Sequence, residues 1–192
     1  MLGTRFARAL DLAQDWHGTQ TRKGVSTPYM AHLMAVSSLV MEYGGNEDQA
    51  IAGLLHDALE DAPTAAEAKA RDTLILAEFG ADVARMVEGC TDGRPDAEGD
   101  KFPWKVRKVA YLESLEAKPA GTLLVTGCDK LHNLAATVRD LRRDGPATLD
   151  RFNAGPQGLT WYYSEIGRIR AARGVAVADD YARLLAEFRG LL

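Results

Sequence analysis

Start and stop signals for α-helices recur along the 192 residues of this chain, and they constrain its fold more than any other feature. Asn46 is followed three residues later by Gln49, and Thr64 by Glu67, which is the spacing of a helix-capping box. Gly80 follows the second of these segments at a place where glycine commonly ends a helix. The sequence therefore predicts one helix that starts after Asn46 and another that runs from Thr64 to Gly80.

A third start signal is Thr27 followed by Pro28, because threonine is a good N-cap and proline suits the first helical position. Leu33, Val36 and Val40 then recur at helical spacing. The same patterns predict further helices at about 4–19, 82–90, 104–116, 129–143, 157–173 and 177–190.

Two segments depart from this helical pattern. Gly121–Gly127 has β-branched residues between glycines, so its local sequence predicts a short strand, in conflict with the helical pattern around it. The run from Thr91 to Lys101 is rich in glycine, proline and aspartate, which is typical of a loop beside a binding site. The length of the chain fits one domain, and we expect an all-α architecture.

Composition excludes several classes of protein. A net charge of −4 disfavours a nucleic-acid polymer as partner, because phosphate backbones require concentrated positive charge. No run reaches the roughly 18 apolar residues of a membrane span, and the N-terminus lacks a signal-peptide pattern. We therefore expect a soluble, cytoplasmic protein with no membrane partner, and homo-oligomerisation stays open. Cys90 and Cys128 are far apart and are expected to be buried thiols.

The strongest chemical signal is the run His56–Asp61, His-Asp-Ala-Leu-Glu-Asp, which follows Leu54 and Leu55. An apolar helix that presents four ionisable side chains would carry them into a partly desolvated region, where carboxylates repel one another. A divalent cation would remove that repulsion, and we favour it over a set of salt bridges. Imidazole and carboxylate ligands suit Mn²⁺, Fe²⁺ or Zn²⁺.

Other segments carry further candidate ligands. Asp129 and Asn133 are four residues apart and would share one face of a helix, although Asp129 also fits the role of an N-cap. His32 lies in the helix that follows Pro28, and His17 lies near the end of the first predicted helix. A lone histidine of this kind is more typical of a hydrogen-bonded core residue than of a metal ligand. Spacing alone does not join these segments.

The order His32, His56-Asp57, Asp129 resembles the H…HD…D pattern of the HD phosphohydrolase superfamily. Longer matching segments resemble the hydrolase domain of RelA/SpoT-type alarmone enzymes more closely. They are Arg22-Lys23-Gly24, Thr27-Pro28-Tyr29-Met30-Ala31-His32, His56-Asp57-Ala58-Leu59-Glu60-Asp61 and Asp129-Lys130-Leu131-His132-Asn133-Leu134. The resemblance runs over residues 9–170, and we expect 171–192 to be a C-terminal helical extension of a single domain spanning 1–192.

The resemblance implies an HD-domain bundle of about eight to ten helices. It also implies one divalent metal, usually Mn²⁺, held by His32, His56, Asp57 and Asp129. The implied substrate is a small nucleotide, guanosine 3′,5′-bis(diphosphate), from which the 3′-pyrophosphate is released. This chain departs from the family at Leu33, where proline is common, and at Ala135 and Ala136, where polar residues are common.

Glu60 and Asp61 are the predicted acid–base residues. Glu60 lies four residues after His56 and three after Asp57, so on a helix its carboxylate would reach the same face and could orient or deprotonate a water. Asp61, the next residue along the chain, is the one expected to assist Glu60. The alternative is that both belong to a solvated acidic helix end.

Substrate contacts are predicted from basic, amide and aromatic side chains around the metal segments. Arginine can donate two parallel hydrogen bonds to phosphate oxygens, and lysine adds a compact positive charge. Lys101 and Lys105 are the candidates for the distal diphosphate, although a solvated helix is their commoner explanation. The full predicted set is Arg22, Lys23, Lys101, Lys105, Asn133, Arg151 and Tyr162.

Two other functions fit the same residues. One is a different nucleotide phosphatase, including an enzyme that removes the 2′-phosphate of NADPH. The other is a non-catalytic sensor that binds a metal and a nucleotide. The presence of Glu60 and Asp61 beside the candidate ligands favours an enzyme.

Overall fold

The structure is a computed structural model that describes residues 2–192 of the chain. The helices are α1 (Thr4–His17), α2 (Met30–Glu42), α3 (Glu47–Leu55), α4 (Ala65–Phe79), α5 (Ala81–Cys90), α6 (Trp104–Leu115), α7 (Ala120–Asp144), α8 (Gly155–Ala172) and α9 (Ala178–Gly190), with a 3₁₀ helix at Pro146–Arg151. Extended pairing among the described residues is confined to a bridge between Thr21 and Pro28. The predicted all-α bundle of eight to ten helices is confirmed.

Two of the predicted helix starts are present in atomic detail. The Asn46 side chain accepts a hydrogen bond from the Gln49 backbone N at 3.0 Å, and the Gln49 side chain accepts one from the Asn46 N at 2.9 Å. Thr64 Oγ1 accepts from the Glu67 N at 3.2 Å. Gly80, with φ of +87°, lies between α4 and α5, where its positive φ favours glycine.

The predicted start at Thr27 and Pro28 is wrong, since α2 begins at Met30. The Thr27 carbonyl accepts a hydrogen bond from the Arg22 backbone N at 2.9 Å, and Pro28 pairs with Thr21. This pairing holds Thr27 and Pro28 in a loop and folds the segment containing Arg22 back toward the start of α2.

The predicted strand at Gly121–Gly127 is also wrong, because the whole segment lies inside α7. Its β-branched residues are buried, as with Val125 and Thr126, so packing in the core overrides their local preference. A Cβ on Gly127 would lie only 2.9 Å from Val177 Cγ2. The glycine therefore permits α7 to approach the segment that precedes α9.

The prediction that the His56–Asp61 run is helical is wrong, because α3 ends at Leu55 and consecutive turns follow. In a continuing helix the Gly53 carbonyl would accept from the Asp57 backbone N. Here the His56 Nδ1 occupies that carbonyl at 2.9 Å. Asp129 lies in the middle of α7, so the alternative that it caps a helix is excluded.

The core is built around α7, which packs against α2, α3, α5, α8 and α9. The last helix adds Tyr181, Leu185 and Phe188 to the same core. Cys90 and Cys128 are buried free thiols, as expected. Between residues 2 and 192, every helix is too short or too polar to cross a bilayer. Since α2, α3 and α7 contact one another, side chains from distant parts of the sequence meet between them.

Candidate metal centre and basic cavity

The four side chains predicted as metal ligands converge between α2, the end of α3 and α7. His32 Nε2 lies 3.3 Å from Asp129 Oδ1 and 3.7 Å from Asp57 Oδ2. His56 Nε2 lies 2.9 Å from Asp57 Oδ2 and 3.6 Å from Asp129 Oδ1. The ligand atoms of His32, His56 and Asp57 all lie within 4.8 Å of one another, and Asp129 Oδ1 lies beside both imidazoles, an arrangement that could hold a small cation.

His56 provides the clearest test of whether a cation fits. Its Nδ1 lies 2.9 Å from the Gly53 carbonyl, which only accepts, so this nitrogen carries a hydrogen and Nε2 is the atom that could ligate a metal. The Nε2 atom, which faces the two carboxylates, is buried and makes no hydrogen bond. Buried polar atoms are normally satisfied, and a metal at this point would satisfy Nε2.

Neighbouring side chains hold the other three ligands in place. His32 Nδ1 lies 2.8 Å from the Nδ1 of His132. Asp57 Oδ2 accepts a hydrogen bond from the Tyr29 hydroxyl at 2.6 Å. Asp129 is held at both oxygens: its Oδ1 accepts from Asn133 Nδ2 at 2.6 Å, and its Oδ2 pairs with Lys130 Nζ at 2.5 Å. Such outer contacts orient metal ligands and tune their basicity.

The electrostatics of the cluster also favour a cation. Burial lowers the pKa of His32 to about 4, which keeps this imidazole neutral and able to ligate. Burial alone would raise the pKa of Asp129, but Lys130 and His56 outweigh it and hold that pKa well below the usual range. Burial would lower the pKa of His56, yet Asp57 and Asp129 raise it well above its usual value. The two charged carboxylates therefore attract positive charge to this point.

Glu60 lies beside this cluster in contact with the loop that follows α5. Its Oε2 accepts a hydrogen bond from the Asp92 backbone N at 3.4 Å, and its Oε1 lies 3.5 Å from both Lys101 Nζ and Arg107 Nη1. Burial, and next the charge of Asp92, raise the pKa of Glu60 to about 7. A carboxyl group of this pKa can take up or release a proton near neutral pH.

Asp61 faces the loop between α1 and α2. Its Oδ2 accepts a hydrogen bond from Gln20 Nε2 at 2.9 Å, and its Oδ1 lies 3.7 Å from Lys101 Nζ. Burial, and next the charge of Asp57, raise the pKa of Asp61. The two predicted acid–base carboxyls are therefore both placed next to the cluster, with Lys101 between them.

A cavity of about 630 Å³ opens from the cluster and includes His32 in its wall. Seven basic side chains line it, against a single acidic one, Asp140. The basic residues are Arg22, Lys23, Lys108, Lys130, Arg139, Arg143 and Arg151. Because α7 lines the cavity from Lys130, next to the cluster, to Arg143, about 20 Å apart along the helix axis, an elongated anionic molecule would fit.

Five of the predicted substrate contacts line this cavity. Arg22 Nη2 donates to Asn133 Oδ1 at 2.7 Å, and Arg151 Nη2 pairs with Asp140 Oδ2 at 2.5 Å. The Tyr162 hydroxyl is buried and makes no hydrogen bond. Lys23 completes this set, and its Nζ donates to the Asn153 side chain.

The other two predicted contacts, Lys101 and Lys105, are absent from the cavity wall. Lys101 faces Glu60 and Asp61 instead, and the exposed Lys105 places its Nζ 2.8 Å from the centroid of the Trp161 ring. Geometry therefore gives no support to the role in binding a distal diphosphate that was predicted for them.

Sequence reasoning missed four of the basic residues in the wall, and one of them had a detectable signal. Helical steps of three and four from Asp129 pass through Asn133, Ala136 and Asp140 and reach Arg143. Extending the face of Asp129 along α7 would have found it. The remaining three, Lys108, Lys130 and Arg139, carry no comparable pattern.

The fold and centre define a class: an α-helical protein with a buried histidine–aspartate cluster suited to a divalent metal, beside a basic cavity. The family model described as "HD domain" matches residues 9–151, most of the chain. The chain belongs to the HD domain family.

Relatives of known name point the same way. The guanosine-3′,5′-bis(diphosphate) 3′-pyrophosphohydrolase MESH1 of Xenopus tropicalis is 35% identical over 141 residues, covering 72% of this chain and 70% of that protein. The bifunctional (p)ppGpp synthase/hydrolase SpoT of Escherichia coli is 31% identical over 146 residues, covering 73% of this chain and 19% of SpoT. A GTP pyrophosphokinase of Streptomyces coelicolor is 33% identical over 140 residues, and this chain spans 15% of its length.

Solved structures support the fold. A metazoan ortholog of SpoT described as hydrolysing ppGpp superposes with a TM-score of 0.77 at 24% identity, covering 100% of this chain and 99% of that one. The crystal structure of lmo0812 from Listeria monocytogenes has a TM-score of 0.66 at 26% identity, covering 80% of this chain and 96% of that one. The first likeness extends through α9, beyond the residues that the family model matches.

Proposed function

We propose that this protein is a metal-dependent hydrolase that removes the 3′-pyrophosphate of guanosine 3′,5′-bis(diphosphate). The observation that carries the proposal is the convergence of His32, His56, Asp57 and Asp129 at one end of a cavity with seven basic side chains. The name printed for the Xenopus relative supplies the substrate. Most of the first relatives are several times longer than this chain, so the substrate is carried over as a proposal.

Those four residues would hold the metal, for which Mn²⁺ is our first choice ahead of Fe²⁺ or Zn²⁺. When bound, such an ion lowers the pKa of a water and polarises a phosphorus centre. Nitrogen and oxygen donors are compatible with all three metals, so the residues alone do not select among them.

In this proposal Glu60 transfers the proton of the attacking water and Asp61 assists it. Water forms a bond to the phosphorus attached to O3′, the O3′–P bond breaks, and the products are guanosine 5′-diphosphate and pyrophosphate. Glu60, with its pKa near 7, accepts the proton of the water at a carboxylate oxygen and can return it to O3′. Asp61 orients the water beside it. Lys101 lies within 4 Å of both carboxyls and balances their charge.

The cavity wall binds and orients the nucleotide. Arg22 is fixed by its hydrogen bond to Asn133 and lies over the Tyr29 ring, so its remaining N–H groups are held ready for phosphate oxygens. Lys108 and Lys130 add positive charge to the cavity wall, and Lys108 Nζ lies 5.1 Å from the centroid of the Tyr162 ring. Arg139, Arg143 and Arg151 would receive the phosphates at the far end.

The test is a hydrolysis panel with the purified protein after metal analysis. We expect pyrophosphate from guanosine 3′,5′-bis(diphosphate), and metal-dependent turnover. Orthophosphate from nucleoside monophosphates, or conversion of NADPH to NADH without pyrophosphate release, would contradict the substrate but keep the chemistry.

A Glu60→Gln variant separates enzyme from sensor. We expect it to retain metal and nucleotide binding while turnover falls about 10²- to 10⁴-fold, the usual contribution of general acid–base catalysis. If wild type and variant bind equally and neither turns over any substrate, the protein is a sensor and the catalytic proposal fails.

A further inference from the structure

His17, which by itself is typical of a core histidine, is connected to the candidate site through one glutamine. Its Nδ1 lies 2.7 Å from Gln20 Oε1, and Gln20 Nε2 lies 2.9 Å from Asp61 Oδ2. His17 is 1% exposed, and Gln20 and Asp61 are partly buried. The three side chains form a chain from the end of α1 to a proposed catalytic carboxyl.

The direction of these hydrogen bonds is determined by the acceptor at the end. An ionised carboxylate only accepts, so the amide nitrogen of Gln20 must face Asp61 and its oxygen must face His17. The His17 Nδ1 therefore carries the hydrogen and donates it. A side chain with a donor at this position is required at residue 17 if Gln20 is to keep this orientation.

The backbone fixes Gln20 from both sides. Its N donates to the His17 carbonyl at 2.9 Å, and its carbonyl accepts from the Tyr29 N at 2.8 Å. The His17 ring also stacks on Tyr29, with centroids 5.6 Å apart, and the Tyr29 hydroxyl donates to Asp57. His17 thus contacts both Gln20, which hydrogen bonds to Asp61, and Tyr29, which hydrogen bonds to the candidate metal ligand Asp57.

We propose that Gln20 and His17 are positioning residues that hold the Asp61 carboxylate in one orientation. This rests on the proposed function, in which Asp61 orients the attacking water. The buried His17 Nε2 makes no hydrogen bond, which costs free energy that a leucine at this position would avoid. The Nδ1 donor is the property of histidine that this arrangement uses.

The test compares four proteins: wild type, Gln20→Met, His17→Leu and His17→Asn. Methionine keeps the length of Gln20 but loses both hydrogen bonds, whereas asparagine at 17 places an amide donor near the position of Nδ1. We expect Gln20→Met to lower kcat about 10- to 100-fold, the usual effect of losing an outer contact to a site residue. KM and the dissociation constant for Mn²⁺ should stay within about 2-fold, and His17→Asn should restore most of the kcat that His17→Leu loses.

A crystal structure of each variant gives a readout that needs no turnover. Gln20→Met should release the Asp61 side chain into other rotamers, while His17→Asn should keep the wild-type rotamer. An unchanged Asp61 in Gln20→Met, or equal losses in His17→Leu and His17→Asn, would overturn the positioning role. Failure of the wild type to hydrolyse the guanosine nucleotide would instead overturn the proposed function, and the rotamer comparison would still decide the positioning role.

Discussion

The two ends of the cavity differ in how their side chains are held. At the metal end His32 and His56 are each 1% exposed and Asp129 is 2% exposed, and short contacts fix each one. At the far end Arg139 and Arg143 are exposed. Buried metal ligands are held in one arrangement, so we expect the loss of one ligand to abolish metal binding. Each flexible, exposed cation adds only a small amount to the free energy of binding an anion, and salt screens that contribution.

The two ends also differ in charge. Asp57, Asp129, Glu60 and Asp61 concentrate negative charge near the metal end, whereas the far end has three arginines around one aspartate, Asp140. In the proposed function the cation and the 3′-pyrophosphate lie at the first end, and the remaining phosphates of the nucleotide lie along the second. Substitutions at each end test this division.

Replacing Asp57 by alanine should have the largest effect. The candidate centre would lose a charged ligand that lies 2.9 Å from His56 Nε2, and with it the metal. A bound ion supplies several kcal/mol to phosphoryl transfer, so we expect turnover to fall by about 10³-fold or more. Isothermal titration with Mn²⁺ and a hydrolysis assay measure the two losses together.

Asp11→Ala is the matched control, because Asp11 is an exposed carboxylate on α1. It should leave both metal content and turnover unchanged. Wild-type turnover by Asp57→Ala in metal-free buffer would remove the basis for the division between the two ends.

Glu60 provides a pH test of the metal end that needs no substrate. Burial and Asp92 raise its pKa from 4.5 to about 7, while Lys101 and Lys108 oppose the shift. A raised carboxyl pKa means that the folded protein binds the proton more tightly, so this contribution is present below about pH 4.5 and is lost as pH rises through about 7. Wild type should therefore lose roughly 3 kcal/mol of unfolding free energy relative to Glu60→Gln over that range.

Urea denaturation of both proteins in a chelating buffer, at several pH values, gives this difference. The remaining titrating groups are common to both proteins and cancel to first order. Parallel curves for the two proteins across the range would mean that Glu60 is solvated and carries an ordinary pKa.

The metal end was also the part of the site that could be predicted from sequence. Buried ionisable residues such as His56 and Asp57 need a compensating partner, and that physical demand is visible in the pattern of apolar and charged residues. The geometry was less predictable. Glu60 was placed by helical spacing, but the His56 ring takes the carbonyl that would have continued α3, and turns carry Glu60 instead.

The far end could not be predicted in the same way, because nothing in a sequence fixes where a long exposed side chain points. The extent of α7 was hidden as well. Gly121–Gly127 has the local pattern of a strand, and only the folded structure shows that Gly127 leaves room for Val177 inside a helix. Arg143 is the exception, because the predicted helix 129–143 already places it on the same face as Asp129.

Substituting both Arg139 and Arg143 with alanine should raise KM about 10-fold and leave kcat nearly unchanged. Each exposed cation contributes only about 0.5–1 kcal/mol to binding a phosphate, and 1.4 kcal/mol corresponds to a factor of ten. The rise in KM should shrink at high salt, where the Debye length falls well below about 8 Å.

Arg142→Ala is the control for this pair, since Arg142 lies on the same helix, pairs with Glu187 and is absent from the cavity wall. It should leave KM unchanged at every ionic strength. Equal effects of Arg142→Ala and the double variant would indicate a general loss of positive charge, with no binding of phosphates at the far end.

Lys105→Ala should have the smallest effect and tests whether geometry or sequence gives the better prediction. Sequence reasoning made Lys105 a phosphate contact, but its Nζ lies over the Trp161 ring and outside the cavity wall. An exposed cation–π contact is worth about 0.5–1 kcal/mol to folding, so we expect a slightly lower melting temperature and a KM within about 2-fold of wild type. Lys108→Ala, which removes a cation from the wall, should raise KM more. If Lys105→Ala raised KM as much as Lys108→Ala does, the Lys105 side chain would have to reach the substrate and would belong to the cavity wall.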